Sequence, residues 1–436
     1  MAKKIIFSYY IKMSASTMRL NYSSVPPRAS SSRAIRNVIN PTNGSSFNMN
    51  QQIIFDVPSN MNNTFIDFQS SYIKAKVTNG DGVAFAFNGG GFPSCISQII
   101  LELGGQTLFS CSSWNVLYEM MLSLDASEAF RGNAGKRLFG SGTTGVGASI
   151  ATNASRDVAF PLVLTPLMAN RYFPAIGRDR LRIRIVLDTA AKALQGAATD
   201  SEVTISDIEL VTYNLELGND VMSMVAANSG GSFKIAMPSY QHHQSSLTTS
   251  ETTKVATLGF SMSSLNRILV AQQRSTVTQA YNSIGNRNRL AIKRFFISVG
   301  GVKYPMIDVQ DPGLAGDLGA GSTFLAEALI SERALCSWGH DSSIEVGGGF
   351  SLEDGTGADS GTTGTFLIDM DLESQRVAGG EGSLGLVAGV NCIGQTVQAT
   401  FEYATVAGNA QVINVFGEHT ILCALDLNTL SWSIAV

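Results

Sequence analysis

Hydrophobic and polar positions alternate with a period of two along much of the chain. Ile73, Ala75 and Val77 fall on one side and Lys74 and Lys76 on the other. Leu181, Ile183, Ile185 and Leu187 alternate with Arg182 and Arg184, and Val397, Ala399, Phe401 and Tyr403 with Gln398, Thr400 and Glu402. Successive side chains of a strand point to opposite faces, so each stretch predicts a half-buried β-strand. Gly and Asn/Asp/Ser clusters between the stretches supply turns. Many short strands punctuated in this way predict an all-β sandwich.

One pattern occurs twice. Ile99 to Gly105 (IILELGG) returns as Phe295 to Gly301 (FFISVGG), each a strand running into a Gly-Gly turn where positive φ is sterically cheap. Gly104, Gly105, Gly300 and Gly301 are therefore read as structural turn residues. A helix is predicted after each turn. In the first, Ser112 or Ser113 caps a segment with Trp114, Leu117, Tyr118, Met121 and Leu122 on one face. In the second, Ser322 or Thr323 precedes the weaker stripe Leu325, Ala328 and Leu329. Long Gly/Ser/Thr-rich loops are expected at Gly132 to Ser149 and Gly347 to Gly364, followed by strands at Val158 to Leu164 and Thr365 to Asp371. Two copies of one order mean two copies of one domain.

Length agrees, because a 436-residue chain exceeds the roughly 250 to 300 residues at which single cores stop growing. Charged residues make up only 15%, and 44% are hydrophobic, against a usual charged share of about 25%. No run of about 18 apolar residues offers a membrane-spanning helix, so burial between subunits is the expected use of that apolar surface. Net charge is −4, but Lys3, Lys4, Lys12, Arg19, Arg28, Arg33 and Arg36 all precede the first acid, Asp56. They make the N-terminal segment a basic arm. Its start imitates a secretory signal peptide. The apolar stretch Ile5 to Ile11 is, however, of minimal length, contains Tyr9 and Tyr10 and ends at Lys12, and Met13 is an alternative start. Cys95, Cys111, Cys336, Cys392 and Cys423 are odd in number and widely spaced, which signals neither a disulfide framework nor a zinc site.

At these residues the sequence resembles the double jelly-roll major capsid proteins of icosahedral double-stranded DNA viruses. Ile96 to Leu124, with its Leu-Glu-Leu-Gly-Gly-Gln and Trp-bearing helix, is similar to the strand, turn and helix of that family's first jelly roll. Phe160-Pro161-Leu162, then Tyr172-Phe173-Pro174 and the Arg-rich strand to Asp188, is similar to its Pro-Leu segment and next strand. Phe260 to Gln273, Ile292 to Pro305 and Phe366 to Glu373 resemble the corresponding parts of the second. The resemblance covers roughly residues 45 to 436 and rests on the whole pattern rather than on any one motif. It implies two tandem eight-stranded jelly-roll β-sandwiches with short helices in the loops, and a homotrimeric, pseudo-hexagonal capsomer of an icosahedral virion. The chain is short for the family, on the scale of polinton-like viruses and virophages.

The chemical signals are weaker than their structural readings. Gly140 to Gly145 matches G-x-G-x-x-G, but neither the preceding strand nor the following helix of a dinucleotide site is expected, so it is read as a loop. Gly135-Lys136-Arg137 lacks the upstream Gly and the Ser/Thr of a phosphate loop and is read as a basic patch in a loop. His242 and His243 diverge, His340 and His419 are remote, and no His-x-His is present. Asp341, Glu345, Glu353, Asp354 and Asp359 fit no calcium-loop spacing. No catalytic, cofactor or metal site is expected, and no enzyme. Arg178, Arg180, Arg182 and Arg184 share one strand face, either as an interface stripe toward acids of a neighbouring jelly roll or as a solvated face that discourages edge pairing.

The expected organisation is a basic arm at 1–50, a first jelly roll at 51–227, a linker at 228–252 and a second jelly roll at 253–436. Expected partners are other copies of the chain, minor capsid and penton proteins, and genome or internal membrane through the arm, whose alternative role is to plug a neighbouring jelly roll. A minor capsid or vertex protein of the same fold, and a two-jelly-roll carbohydrate-binding protein or hydrolase, are the alternatives.

Overall fold

The structure, a computed structural model, describes residues 32–80, 83–143, 145–196, 198–275, 284–311, 321–332, 350, 364–373, 389–407 and 409–435. The first half contributes β1 (Ser32–Ile39), β2 (Ser46–Asn48), β3 (Gln52–Val57), β4 (Thr64–Asn79), β5 (Phe85–Asn88), β6 (Ile96–Leu103) and β7 (Gln106–Ser112). It continues with helix α1 (Trp114–Asp125), β8 (Val146–Ile150), β9 (Ser155–Phe160), β10 (Phe173–Pro174), β11 (Leu181–Leu187), β12 (Leu194–Gln195) and β13 (Val203–Leu217). Helix α2 (Asn219–Asn228) leads to the second half: β14 (Ser232–Leu247), β15 (Thr253–Leu258), β16 (Leu265–Arg274), β17 (Ile292–Val299) and β18 (Val302–Gln310). Helix α3 (Ser322–Ser331), β19 (Ile368–Asp371), β20 (Val397–Tyr403), β21 (Gln411–Asp426) and β22 (Trp432–Ala435) follow.

The strand order repeats. In the first half one sheet runs β1-β13-β4-β10, with β9 also on β4, and the other runs β3-β11-β6-β7. In the second half the sheets run β14-β21-β16-β19 and β15-β20-β17-β18. Position by position, β1 matches β14, β13 matches β21, β4 matches β16, and β6 and β7 match β17 and β18. All the ladders are antiparallel, and the first strand of each half pairs with its last long strand, Ser32 opposite Leu217 and Ser232 opposite Asp426. Two four-stranded sheets closed in this way form a jelly roll, so the fold is a double jelly roll. A further small sheet, β12-β5-β8, caps the first half.

Alternation places the core. β20 buries Val397, Ala399, Phe401 and Tyr403, and β11 buries Leu181, Ile183, Ile185 and Leu187 against Phe55 and Leu101 of the flanking strands. Each fully buried Phe, Leu or Ile is worth about 1.5–3 kcal/mol. The two hairpins turn in two residues: Leu103 pairs with Gln106 and Val299 with Val302. φ is +60° and +84° at Gly104 and Gly105, and +57° and +85° at Gly300 and Gly301. Positive φ at both central positions is the type I′ geometry, whose twist suits the flanking strands.

Three elements depart from the sequence reading. Ser32–Ile39, expected in the arm, is strand β1 of the first sheet, paired along its whole length with β13. Most of the linker is strand β14, sixteen residues paired continuously with β21. Both are outermost strands: β1 is exposed along most of its length, and in β14 the alternation of Phe233, Ile235 and Met237 gives way to the polar run from Gln241 to Ser246. The loop Gly132–Ser149 is also partly ordered. The Ser127 hydroxyl caps a helical turn by accepting from Phe130 N (3.0 Å), and helical turns then run through Lys136–Leu138 before β8 begins. Gly135-Lys136-Arg137 thus lies on a helix end, not in a loop. Gly140 to Gly145 leads into strand β8, and a Cβ on Gly142 would meet the Val146 carbonyl at 1.8 Å, so this glycine serves close backbone packing.

Candidate functional site

The groups with catalytic potential are held in structural roles. His242 stacks on Phe416 (4.7 Å), and its ring nitrogens reach the Ser112 hydroxyl (2.8 Å) and Asn414 Oδ1 (3.0 Å). Burial pushes its pKa down to about 4, which leaves a neutral ring joining the two halves. Burial raises the thiol of Cys392 to about 11 and that of Cys423 to about 12, and pushes those of Cys95 and Cys111 upward as well. A thiol so raised stays protonated and is a poor nucleophile. Among the described residues no group of three His, Cys, Asp or Glu is placed to hold a metal ion. Cys336, His340, Asp341, Glu345, Glu353, Asp354 and Asp359 lie outside the described residues.

The arginine stripe is engaged within its own sheet. Strand β11 lies between β3 and β6, so Arg182 faces Asp56 on one side and Glu102 on the other. Arg182 Nε donates to Asp56 Oδ1 at 2.7 Å, Arg180 stands 3.6 Å from the same carboxylate, and Arg184 pairs with Glu102 at 3.3 Å. The hydrogen bond from Arg182 holds the Asp56 carboxyl below its usual range. Arg178 precedes the strand, and its backbone N–H donates to Leu430 O across the halves (2.8 Å). Of the arm's basic residues, Lys3, Lys4, Lys12, Arg19 and Arg28 lie outside the described residues. Arg33 pairs with Glu216 (2.7 Å) and Arg36 approaches the Tyr72 hydroxyl (3.4 Å), both as parts of the β1 sheet.

The seam between the halves is where the structure concentrates buried polar chemistry. Edge strand β7 meets edge strand β14 there, joined by the Ser112–His242 hydrogen bond. Phe65 packs on Phe233 (5.7 Å), Phe173 stacks on Trp432 (5.1 Å), and the Trp432 backbone N–H donates to Asp179 Oδ2 (2.9 Å). Helix α1 is buried almost all round, including Glu119, which accepts from Gly90 N and from the Ser94 hydroxyl (3.1 Å) and faces Arg131 at 3.7 Å. From the second half, the buried Arg287 donates to the Ser123 hydroxyl of α1 (2.8 Å). Burial lowers its pKa only to about 10, so it remains a cation.

Beside this contact, Arg267 gathers Asp369, Glu332 and Glu418, and the Tyr240 hydroxyl donates to Glu418 (3.1 Å). Burial raises the Asp369 and Glu418 carboxyls, opposed by the nearby Arg267. Asp125, at the end of α1, is open to solvent as a residue, but its carboxyl hydrogen-bonds Glu332 across the seam. Desolvation of that carboxyl and the negative Glu332 raise it to about 7. Sequence spacing offers no signal for this cluster, whose members come from α1, β14, β16, β19, β21 and the end of α3.

Two outer features remain. A groove of about 680 Å³ opens between the halves, lined by Phe65, Tyr172, Val225, Phe233 and Lys234. Strand β18 carries Met306 at 89% exposure and Ile307 at 83%, the two most exposed large apolar residues among those described. The described residues thus offer exposed apolar positions and a groove between the halves, and among them no reaction centre for an outside substrate is assembled.

No protein-family description and no curated protein sequence matches the chain. Solved structures do share its fold. PBCV-1 VP54, fitted into a reconstruction of the virophage Sputnik, is 12% identical with a TM-score of 0.59, over 95% of this chain and 99% of that one. The Faustovirus major capsid protein is 8% identical with a TM-score of 0.58, over 97% and 98%. The Sputnik virophage structure is 11% identical with a TM-score of 0.56, over 94% and 90%. At such identities the likeness establishes the fold, and it spans both halves and the seam.

Proposed function

We propose that the chain is the major capsid protein of an icosahedral virus, a structural subunit and not an enzyme, which acts within the virion. The observation that carries this reading is the duplication itself: two jelly rolls of identical strand order, fused through one continuous seam, in a fold shared end to end with viral capsid structures. Fold alone does not assign function. The surfaces point the same way, since the two most exposed apolar residues among those described, Met306 and Ile307, stand on an edge strand while the polar clusters are consumed inside the seam. Three copies would place six similar domains around one axis, giving a homotrimer with pseudo-hexagonal outline. Its partners would be further capsomers, minor capsid and penton proteins, and genome phosphate or anionic lipid contacted by the basic segment ahead of β1.

Negative-stain electron microscopy and light scattering on the purified full chain test this. Hexagonal particles with the mass of three chains are expected. Dispersed monomers at micromolar concentration would sink the proposal and favour the carbohydrate-binding or hydrolase alternative.

A further inference from the structure

One cluster of reactive groups lies within the first half alone. Asn115, the second residue of α1, is fully buried, and its Nδ2 donates to Asp188 Oδ2 (2.8 Å) and reaches Ser94 O (3.4 Å). Asp188 directly follows β11, and the same Oδ2 receives Lys192 Nζ at 3.3 Å. Two nitrogens, one an amine and one the leaving group of a carboxamide, thus converge on a single carboxylate oxygen.

The surroundings hold each member in place. Asp188 Oδ1 accepts from Thr189 N (2.9 Å), and the Asp188 backbone N–H donates to Cys95 O (2.7 Å). Lys192 stands on the helical turn Ala190–Ala193, which Asn88 pins by donating from Nδ2 to Lys192 O (3.2 Å) and to Ala193 O (2.9 Å). Asn115 Oδ1 accepts from Val116 N (3.0 Å), so the carboxamide is polarised at its oxygen while its nitrogen faces the acid. The fold does not require this set. In the second half the second residue of α3 is Thr323 and the residue after β20 is Ala404, which supply neither amide nor carboxylate.

We infer that Lys192 and Asn115 are the reactants of an intramolecular isopeptide bond, with Asp188 carrying protons between them. The Lys192 ammonium gives a proton to Asp188, and the neutral amine turns from Oδ2 to the adjoining Asn115 Cγ. Away from water a neutral pair costs far less than two ions, and here the Asp188 side chain is 11% exposed and Asn115 not at all. Nζ attacks Cγ, the carbonyl electron pair moves onto Oδ1, and the Val116 N–H donates to the charge formed there. Asp188 protonates Nδ2 and takes the surplus proton from Nζ. The Cγ–Nδ2 bond then breaks, and ammonia leaves with the proton that the lysine began with. One carboxamide and one lysine ammonium thus become one amide and one ammonium ion, with no oxidant and no second substrate. Water, the competing nucleophile, is kept from the buried Cγ, and holding the groups together makes the step unimolecular. The chain is its own substrate and reacts once, which ties α1 covalently to the segment that follows β11.

Peptide mapping of the purified full chain by tandem mass spectrometry tests this. A branched peptide joining Lys192 to Asn115 is expected, about 17 Da lighter than its two parts through the lost ammonia. Lys192→Arg keeps the charge that faces Asp188, should keep the wild-type circular dichroism, and should abolish the branch. Asp188→Asn removes the proton carrier and should leave most of the chain unbranched. Unmodified Lys192 and Asn115 in the wild-type chain after prolonged incubation would overturn the inference. A mass deficit that persists in Lys192→Arg would mark closure of an asparagine onto its own backbone and would overturn it too, as would a full yield of the branch in Asp188→Asn. Neither trimer formation nor shell assembly enters the readout, so the capsomer proposal stands or falls separately.

Discussion

Helices α1 and α3 occupy the same place in the two halves, each following the edge strand of a two-residue hairpin, yet ten of the twelve residues of α1 are buried and only two of the ten of α3. The difference comes from how much surrounds each helix. The first half encloses α1 between β6 and the Phe92–Cys95 turn, and the second half adds Arg287 at Ser123 and Glu332 at Asp125, while α3 keeps an open face. A repeated fold therefore does not yield repeated environments, and equivalent residues should answer mutation unequally.

Leu117 of α1 and the partly buried Leu325 of α3 provide the sharpest contrast. Leu117→Ala is expected to cost about 2–5 kcal/mol, by lost transfer energy and a cavity that cannot collapse, and Leu325→Ala less than about 1 kcal/mol. Urea midpoints of the two full-chain variants measure this, and equal shifts would refute the asymmetry. Ser123→Ala comes next, because it removes an acceptor from a buried guanidinium and should cost about 1–3 kcal/mol.

The hairpins give a smaller contrast. Gly104→Ala and Gly300→Ala both force a side chain into left-handed backbone, at about 1–2 kcal/mol. The new Cβ at 104 would meet the side chain of Asp179 at 2.9 Å, and that carboxylate is held by the Trp432 N–H; at 300 it would meet only the flexible end of Gln395. Thermal melts should therefore rank Gly104→Ala as the more damaging, and a reversed order would mean that Gln395 is the more constrained.

The smallest expected effect is pH dependence at the seam. The Asp125 carboxyl is raised from 3.8 to about 7 in the folded chain, so the folded state binds the proton more tightly than the unfolded one. Its contribution is fully present below pH 3.8 and is lost as pH rises toward 7. Asp125→Asn should flatten this part of the stability–pH curve, by a modest amount because the residue borders solvent. A curve of unchanged slope between pH 5 and 7 would remove Asp125 from the account.

The strands legible in the sequence are those with one wet and one dry face. β4, β11 and β20 show their period because each alternate side chain enters a core. β1 and the later part of β14 do not, since Arg33, Arg36, His242, His243 and the neighbouring Ser and Gln residues sit on outermost strands whose partners are a single ladder and a polar seam. The arginines of β11 were legible as a shared face. Their acids were not, because Asp56 and Glu102 reach them only through the register of two ladders. The cluster around Arg267 could not be read at all, since six separate elements meet there. Local period reports burial, whereas long-range pairing of charges depends on topology.

The closing ladder of each half also sets how the chain reaches its native state. Ser32 waits for Leu217 and Ser232 for Asp426, so neither sandwich can close its first sheet until nearly all of its sequence is present. Contacts this distant place the loop-closure cost before the stabilising return and belong to the slow, millisecond-to-second end of folding. In the interval β4 and β16, the other partners of β13 and β21, are exposed sheet edges open to pairing with the wrong chain. Swift capture of β1 and β14 by their own last strands is the kinetic condition on which a productive yield of subunits depends.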